Sequence, residues 1–196
     1  MLRFGVGTMG LLVVLAALTC GCASRNLYNI GANDIPFQLA HLRSNDATER
    51  SYGCTMLFFL SPEAKASPLV AEATEALAHT ALYDPEPKVR SDADNALWEI
   101  GAPSVPAVLK AHREAAKPEV RKHAAVSLAM FGAHAVPLVM AELRSPASDE
   151  HRKLDLANVL RVIGKSAKPA LTEALSDPDL RVRALAKLAL ERIDER

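Results

Sequence analysis

Apolar residues in the second half of the chain recur with helical spacing, in blocks that resemble one another. In each block the positions i, i+4, i+8 and i+11 are apolar: Val89, Ala93, Leu97, Ile100; Val120, Ala124, Leu128, Phe131; and Val182, Ala186, Leu190, Ile193. This spacing places one apolar stripe along a single face of a helix. The pattern therefore predicts a series of amphipathic helices, each of which buries one face.

Three residue types mark equivalent positions of these blocks. Arginines recur every 31 residues, and glycines and prolines follow them at nearly the same interval: Arg90, Arg121, Arg152, Arg183; Gly101, Gly132, Gly164; and Pro106, Pro137, Pro169. Glycine ends a helix because it adopts the left-handed conformation at low cost, and proline suits the first turn of the next helix. Each block is predicted to be a helix, a glycine turn and a shorter second helix, as in a repeat array.

The same residues resemble the short bacterial HEAT repeats that are named for phycobilisome lyase-like proteins. Pro85, Val89-Arg90, Ile100-Gly101 and Val105-Pro106 carry the resemblance, and it returns at residues 118–137 and 177–183. It implies an all-α fold, a HEAT-repeat α-solenoid of about four to five stacked antiparallel helix pairs. Weaker matches upstream extend the predicted solenoid to residues 35–196, with a half-unit as its amino-terminal cap.

The block that contains Arg152 departs from the pattern by one residue. Its last apolar position lies eleven residues after the arginine, whereas in the other three blocks the interval is ten. Either Lys153 occupies the column instead of Arg152, or a π-bulge absorbs the extra residue. A column at Arg152 would bury His151 and Asp155, whereas a column at Lys153 buries apolar residues: Leu156, Leu160 and Ile163. The column at Lys153 is favoured, because an imperfectly paired buried polar group costs about 1–3 kcal/mol.

The recurring arginines are predicted to be structural rather than ligand-binding. In HEAT repeats such an arginine commonly contacts an aspartate of an adjacent loop, and Asp84 and Asp177 each precede a column arginine by six residues. The resemblance therefore implies a structural ladder: Arg90, Arg121, Arg152 and Arg183. At the same offset the other two blocks have Ala115 and Pro146, so only half of the ladder has its aspartate.

The first residues have the features of an export signal. A positive start at residues 1–3 precedes an apolar run at 9–18, and small residues follow. Residues 18–24 resemble the lipobox of bacterial lipoproteins, with Gly21 directly before the cysteine, although Thr19 stands where the motif has a branched apolar residue. The resemblance implies cleavage before Cys22 and acylation of that cysteine, which would hold the protein on a membrane, the outer membrane where the organism has one, facing the periplasm. Ordinary secretion and an uncleaved membrane helix are the alternatives.

These observations predict three segments: a signal peptide at residues 1–21, a flexible tether at 22–34 and the solenoid at 35–196. The tether is short, polar and rich in asparagine. The expected location is the cell envelope, with the folded part fastened to the membrane by the lipid on Cys22.

Charge and motifs favour a non-catalytic protein. The 196 residues include 23 basic and 23 acidic side chains, and this balance lacks the basic footprint of a general nucleic-acid binder. The chain has no G-x-S-x-G, H-E-x-x-H or glycine-rich phosphate motif. No block has the His-Glu pair with which the HEAT enzyme deoxyhypusine hydroxylase binds iron. We expect no catalytic residue, no metal site and no cofactor, and the alternative is an enzyme or lyase-like accessory protein with an unrecognised site.

The second helices line the concave side of a HEAT solenoid, so their outward positions are predicted to meet a protein partner: Glu72, Lys110, Glu142 and Glu173. Mixed charges in a shallow groove suit a helix or an extended peptide, with the charges setting the register. An ordinary solvated face is the alternative. The expected function is a monomeric, lipid-anchored scaffold of the cell envelope. Trp98 is expected to pack at a unit junction, with a half-exposed binding residue as the second interpretation.

Overall fold

The computed structural model describes residues 29–195. Over this range one helix follows another: α1 (Ile35–Leu42), α2 (Ala47–Phe58), α3 (Pro62–Lys65), α4 (Leu69–Tyr83), α5 (Pro87–Ile100), α6 (Val105–Glu114), α7 (Pro118–Met130), α8 (Val136–Arg144), α9 (Glu150–Ile163), α10 (Lys168–Ala174) and α11 (Leu180–Asp194). The predicted signal peptide and Cys22 lie outside the described residues.

The helices form two layers. The first helices of the units, α2, α5, α7, α9 and α11, each contact the next first helix along the chain. The second helices, α1, α4, α6, α8 and α10, form the other layer in the same way. The outer surfaces of the two layers are called the first-helix face and the second-helix face below. This architecture confirms the predicted fold class, an all-α solenoid of stacked antiparallel helix pairs.

The glycine turns have the predicted backbone conformation. Gly101, Gly132 and Gly164 have φ angles of 79°, 55° and 74°, in the region that side chains disfavour. A short 3₁₀ turn follows each glycine, and proline occupies the first turn of the next helix. Gly101 and Gly164 cap their helices with nearly the same backbone angles, whereas α7 has Phe131 as its C-cap and Gly132 begins the 3₁₀ turn that follows.

The stripe residues form the core between the two layers. Val89, Leu97, Leu128 and Ala186 are at most 1% exposed. In α9, which is α-helical throughout, Leu156 and Leu160 are fully buried and His151 is exposed. Lys153, at 4% exposure, is the buried member of the column. The column at Lys153 is thus confirmed, without a π-bulge.

The packed part of the chain begins before the first helix. The N–H of Ile30 donates to the carbonyl of Phe59 at 2.9 Å, and the N–H of Ser61 donates to the carbonyl of Ile30 at 2.9 Å. A 3₁₀ turn at Ala32–Asp34 then leads directly into α1. Residues 30–34, which were assigned to the flexible tether, are therefore held against the end of α2, and residues 22–28 of that segment lie outside the described residues.

No single helix among residues 29–195 combines the length and the apolarity that a membrane span requires. Helix α7 and the segment 132–144 are long and apolar enough for a span only when they are taken together, and the two are bent by 111° relative to each other.

Candidate protein-binding surface

Ion pairs connect each second helix to the next one. The pairs run along the whole second-helix face: Arg43–Glu72 at 3.5 Å, Glu75–Lys110 at 3.0 Å, Arg113–Glu142 at 3.2 Å and Arg144–Glu173 at 3.9 Å. Each of the four residues that the sequence assigned to a partner groove is thus already paired across a unit boundary. We call these four contacts the ion-pair row.

Three of the four groove residues project into solvent, and one does not. The side chains of Glu72, Lys110 and Glu173 are 59%, 45% and 81% exposed. Glu142 is 8% exposed, because the loop after α8 folds over it and the hydroxyl of Ser148 donates to its carboxylate at 2.7 Å. Glu142 therefore stabilises this loop and does not lie on the outward surface.

A small pocket lies beside the Glu75–Lys110 pair. It has a volume of about 200 Å³ between α4 and α6, and His79 and Tyr83 form part of its wall. The two rings are 5.0 Å apart, and Tyr83 is 49% exposed. Tyrosine is enriched among the residues that dominate binding energy, because it joins a large apolar ring to a polar tip. The periodicity did not single out Tyr83, since it is the last residue of its helix.

The ladder arginines hold the loops that join the units. Arg90 donates to the backbone carbonyls of Asp84 and Pro85 at 2.7 and 3.1 Å, and Arg183 donates to the equivalent carbonyls of Asp177 and Pro178. Arg50 makes the same contacts one unit earlier, with Ser44 and Asn45. Each of these arginines thus binds backbone carbonyls of the loop before its own helix, whereas the family resemblance implied a contact with an aspartate side chain.

The aspartate carboxylates of these loops are bound by arginines that lie 33 or 34 residues earlier in the chain. Arg50 donates to both oxygens of Asp84 at 2.7 and 3.0 Å, and Arg144 donates to Asp177 at 2.7 Å. The Arg50–Asp84 pair is bidentate, which fixes its geometry as well as its charge. Neighbouring units are therefore joined at these two loops by a charged pair.

The other two ladder positions have different partners. Arg121 donates through Nε to Asp155 of α9 at 2.7 Å. Arg152 forms an ion pair with Asp149 in its own loop, while Lys153 occupies the column with its Nζ 3.7 Å from Asp179. Because lysine stands at position 153 instead of arginine, this unit lacks the contacts to loop carbonyls that Arg50, Arg90 and Arg183 make.

The titration of Asp84 and Asp177 predicts acid sensitivity. Hydrogen bonds from Arg50 and Arg144, respectively, hold the pKa of each carboxyl below its usual 3.8, and a backbone N–H assists each. Because the folded-state pKa is lowered, the ionised form stabilises the fold above the unfolded-state value, and this contribution is lost as the pH falls through the folded value. We expect Asp84→Asn to flatten the dependence of urea unfolding on pH below about pH 4. An unchanged pH profile in the variant would contradict the pairing.

His112 is fully buried, and neither ring nitrogen has a hydrogen-bond partner among the described residues. Burial lowers the pKa of His112 below its usual 6.5; Asp155, 3.9 Å from Nε2, opposes this, and Arg121 and Arg152 add to it. Below about pH 6.5 the imidazole of His112 binds a proton more readily in the unfolded chain than in the folded protein. The free energy of unfolding therefore falls as the pH is lowered through this range.

We expect His112→Leu to raise stability and to remove the loss of stability that begins below about pH 6.5. The equivalent residue one unit later is Leu143, which is fully buried. Chemical unfolding of both proteins across this range is the measurement, and a variant that is less stable than the natural protein at every pH would oppose the expectation.

A serine, a histidine and an aspartate meet between α5 and α7. His123 Nε2 lies 2.7 Å from the carboxylate of Asp94, and Ser127 donates to the same carboxylate at 2.8 Å. A nucleophilic serine requires a base at its hydroxyl and a third group that orients the base. Here the aspartate accepts from both residues, so the arrangement joins two helices. Among residues 29–195 no group of three or more His, Cys, Asp or Glu side chains is placed to hold a metal ion.

Cys54 lies in the core of the first unit and is fully buried. Burial raises the pKa of its thiol to about 12, and the carboxylates of Asp92 and Asp84 add to this effect. The thiolate is the reactive form of cysteine, so Cys54 is an inert packing residue.

Comparison with known proteins finds a family of repeats that part of the chain resembles. Residues 74–161 match the sequence model of HEAT repeats. A solved structure described as the crystal structure of an engineered protein is similar at 22% sequence identity, with 83% of this chain and 80% of that chain covered and a TM-score of 0.40. No curated protein matches the chain. Residues 74–161, which lie in helices α4 to α9, are thus similar to HEAT repeats, a class of repeat that generally mediates protein–protein interaction.

Proposed function

We propose that the protein is a non-catalytic scaffold of the cell envelope, anchored by a lipid, that binds a protein partner through its second-helix face. The ion-pair row is the observation that carries this proposal. Three of its four pairs are exposed, and an exposed ion pair contributes only about 0–1 kcal/mol to stability, so a partner can exchange those three contacts for its own at little cost. Charges arranged along a groove set the register and the orientation of a bound segment.

A charge swap tests the use of this face. In the double variant Glu75→Lys/Lys110→Glu the ion pair is kept, but the charges that a partner meets are reversed. We expect the variant to unfold at the same temperature as the natural protein and to lose the partners that the natural protein retains from envelope extracts. The matched control is Lys187→Glu/Glu191→Lys, an exposed pair within α11. Equal retention by both double variants would contradict the proposal.

Tyr83 is expected to contribute more binding energy than any member of the ion-pair row. Tyr83→Ala should weaken partner binding at least tenfold, because the half-exposed ring stands beside a pocket that a partner side chain would share. Its effect on stability should be small, since the ring already contacts water. Leu180→Ala, at a residue that is 71% exposed and away from the pocket, is the control for the binding measurement.

The location depends on Cys22, which lies outside the described residues. We expect Cys22→Ser to release the protein from membranes, because two acyl chains suffice for stable anchoring and the serine cannot carry them by this route. Membrane fractionation of both proteins is the measurement. Continued membrane association of the variant would indicate an uncleaved helix, and a soluble natural protein would indicate ordinary secretion.

A further inference from the structure

A second groove lies on the opposite side of the molecule, between the first helices α7 and α9. Its volume is about 480 Å³. Ala125, Ala129 and the buried Val159 form its floor, and its rims are apolar side chains that are 49–62% exposed: Val126, Met130 and Val162. We call this surface the outer groove. Exposed apolar side chains gathered around a concave surface are typical of an interaction site.

The sequence explains why the groove lies at this junction. Ala125 and Ala129 stand four and eight residues after the column arginine of their unit. The preceding unit has Asp94 and Trp98 at these positions. Asp94 bonds to His123 and Ser127 of α7 across that junction. Trp98 is 54% exposed, so the expectation that it packs at the junction is wrong, but it carries a far larger side chain than alanine. With alanine at both positions, α7 leaves open the space that faces α9.

The charges around the outer groove are positive. Lys122 stands at one end, and Arg161 and Arg192 line an adjoining depression between α9 and α11 that shares Asn158 with the groove. Within the described part of the chain none of these three cations forms an ion pair. Asp155, the acidic residue of the groove wall, is bound by Arg121 at 2.7 Å. The free charges that remain would attract an anionic partner.

We propose that the outer groove binds an amphipathic α-helix of a partner protein that carries acidic residues beside its apolar ridge. The ridge would fit between α7 and α9 as one helix packs into the groove of others, and the acidic residues would meet Lys122 and Arg161. The outer groove is separate from the second-helix face. A negative result for one surface therefore leaves the proposal for the other unaffected.

Other occupants fit the groove less well. A second copy of the same face would oppose like charges, which destabilises an interface. Residues 1–28 of this chain contain no acidic side chain. A flat membrane surface would contact the rims but would not reach a floor of alanines between two helices.

Selection from a phage-displayed library of helical peptides tests the proposal. The natural protein is the target, and the variant Ala129→Trp, which places the side chain of Trp98 at the equivalent position, is the counter-target. We expect the enriched peptides to combine apolar residues at i, i+3 or i+4 and i+7 with flanking glutamate or aspartate. The synthetic peptides should bind Ala129→Trp at least tenfold more weakly than the natural protein.

A charge variant keeps the test decisive if Ala129→Trp fails to unfold cooperatively. Lys122→Glu/Arg161→Glu should weaken the selected peptides at least tenfold, whereas Lys117→Glu, outside the groove lining, should change their affinity less than twofold. Peptides without acidic residues, or peptides that bind all variants equally, would overturn the proposal. A different result would also overturn it: no peptide depends on the groove, but the natural protein binds phosphatidylglycerol vesicles and Ala129→Trp does not. That result would show that the groove binds lipid.

Discussion

Leu128→Ala is expected to destabilise the protein by about 2–5 kcal/mol. Leu128 is fully buried in α7, where it belongs to the apolar core between the two layers. Truncation removes its transfer free energy and leaves a cavity that the stacked helices can close only in part. The cost should appear as a lower midpoint of urea unfolding with little change in its slope.

The control for this prediction is Glu173→Ala. The side chain of Glu173 is 81% exposed, and its pair with Arg144 is long, at 3.9 Å. Exposed substitutions of this kind are usually within about 0.5 kcal/mol of neutral. Equal losses from the two variants would contradict the assignment of the helix faces.

Gly53→Leu is expected to detach the amino-terminal cap. A Cβ on Gly53 would lie 3.0 Å from the Cβ of His41, 3.1 Å from the carbonyl oxygen of Gln38 and 3.3 Å from Leu42. Overpacking of a core typically costs about 1–3 kcal/mol, and a leucine here meets backbone that cannot rotate aside. The variant should lose hydrogen-exchange protection throughout residues 35–42, while the later units keep theirs.

Thr55→Leu is the matched control for Gly53→Leu, since it adds the same side chain at an exposed position of the same helix. It should leave the exchange protection of α1 unchanged. Loss of protection in both variants would mean that the close approach of α1 and α2 does not hold the cap.

The sequence predicted helix faces well and contacts between units poorly. The stripe from Val89 to Ile100 needed only the helical period, and the buried Lys153 followed from comparing two registers. The partners of Glu72, Lys110 and Glu142 were missed because they lie 29 to 35 residues away along the chain. The helical periodicity of the sequence shows on which face of its helix a residue lies. The distance between residues of neighbouring helices depends on how the units stack, which the periodicity does not show.

The loop contacts and the outer groove illustrate the same limit. The spacing of Asp84 and Arg90 suggested that the arginine contacts the aspartate of the adjacent loop, whereas the structure pairs Arg90 with backbone carbonyls and the Asp84 carboxylate with Arg50. Ala125 and Ala129 are ordinary stripe neighbours in the sequence. Only their alignment with Asp94 and Trp98, together with the position of α9, makes the groove apparent.

Site-specific photo-crosslinking in living cells tests most directly whether the second-helix face binds a protein. Benzoylphenylalanine at position 83 should yield one discrete crosslinked product with a second protein, and the product should disappear in the Glu75→Lys/Lys110→Glu background. The same probe at position 55, on an exposed part of the first-helix layer, should yield none. A product of equal yield from both positions, or one that survives the charge swap, would contradict the account.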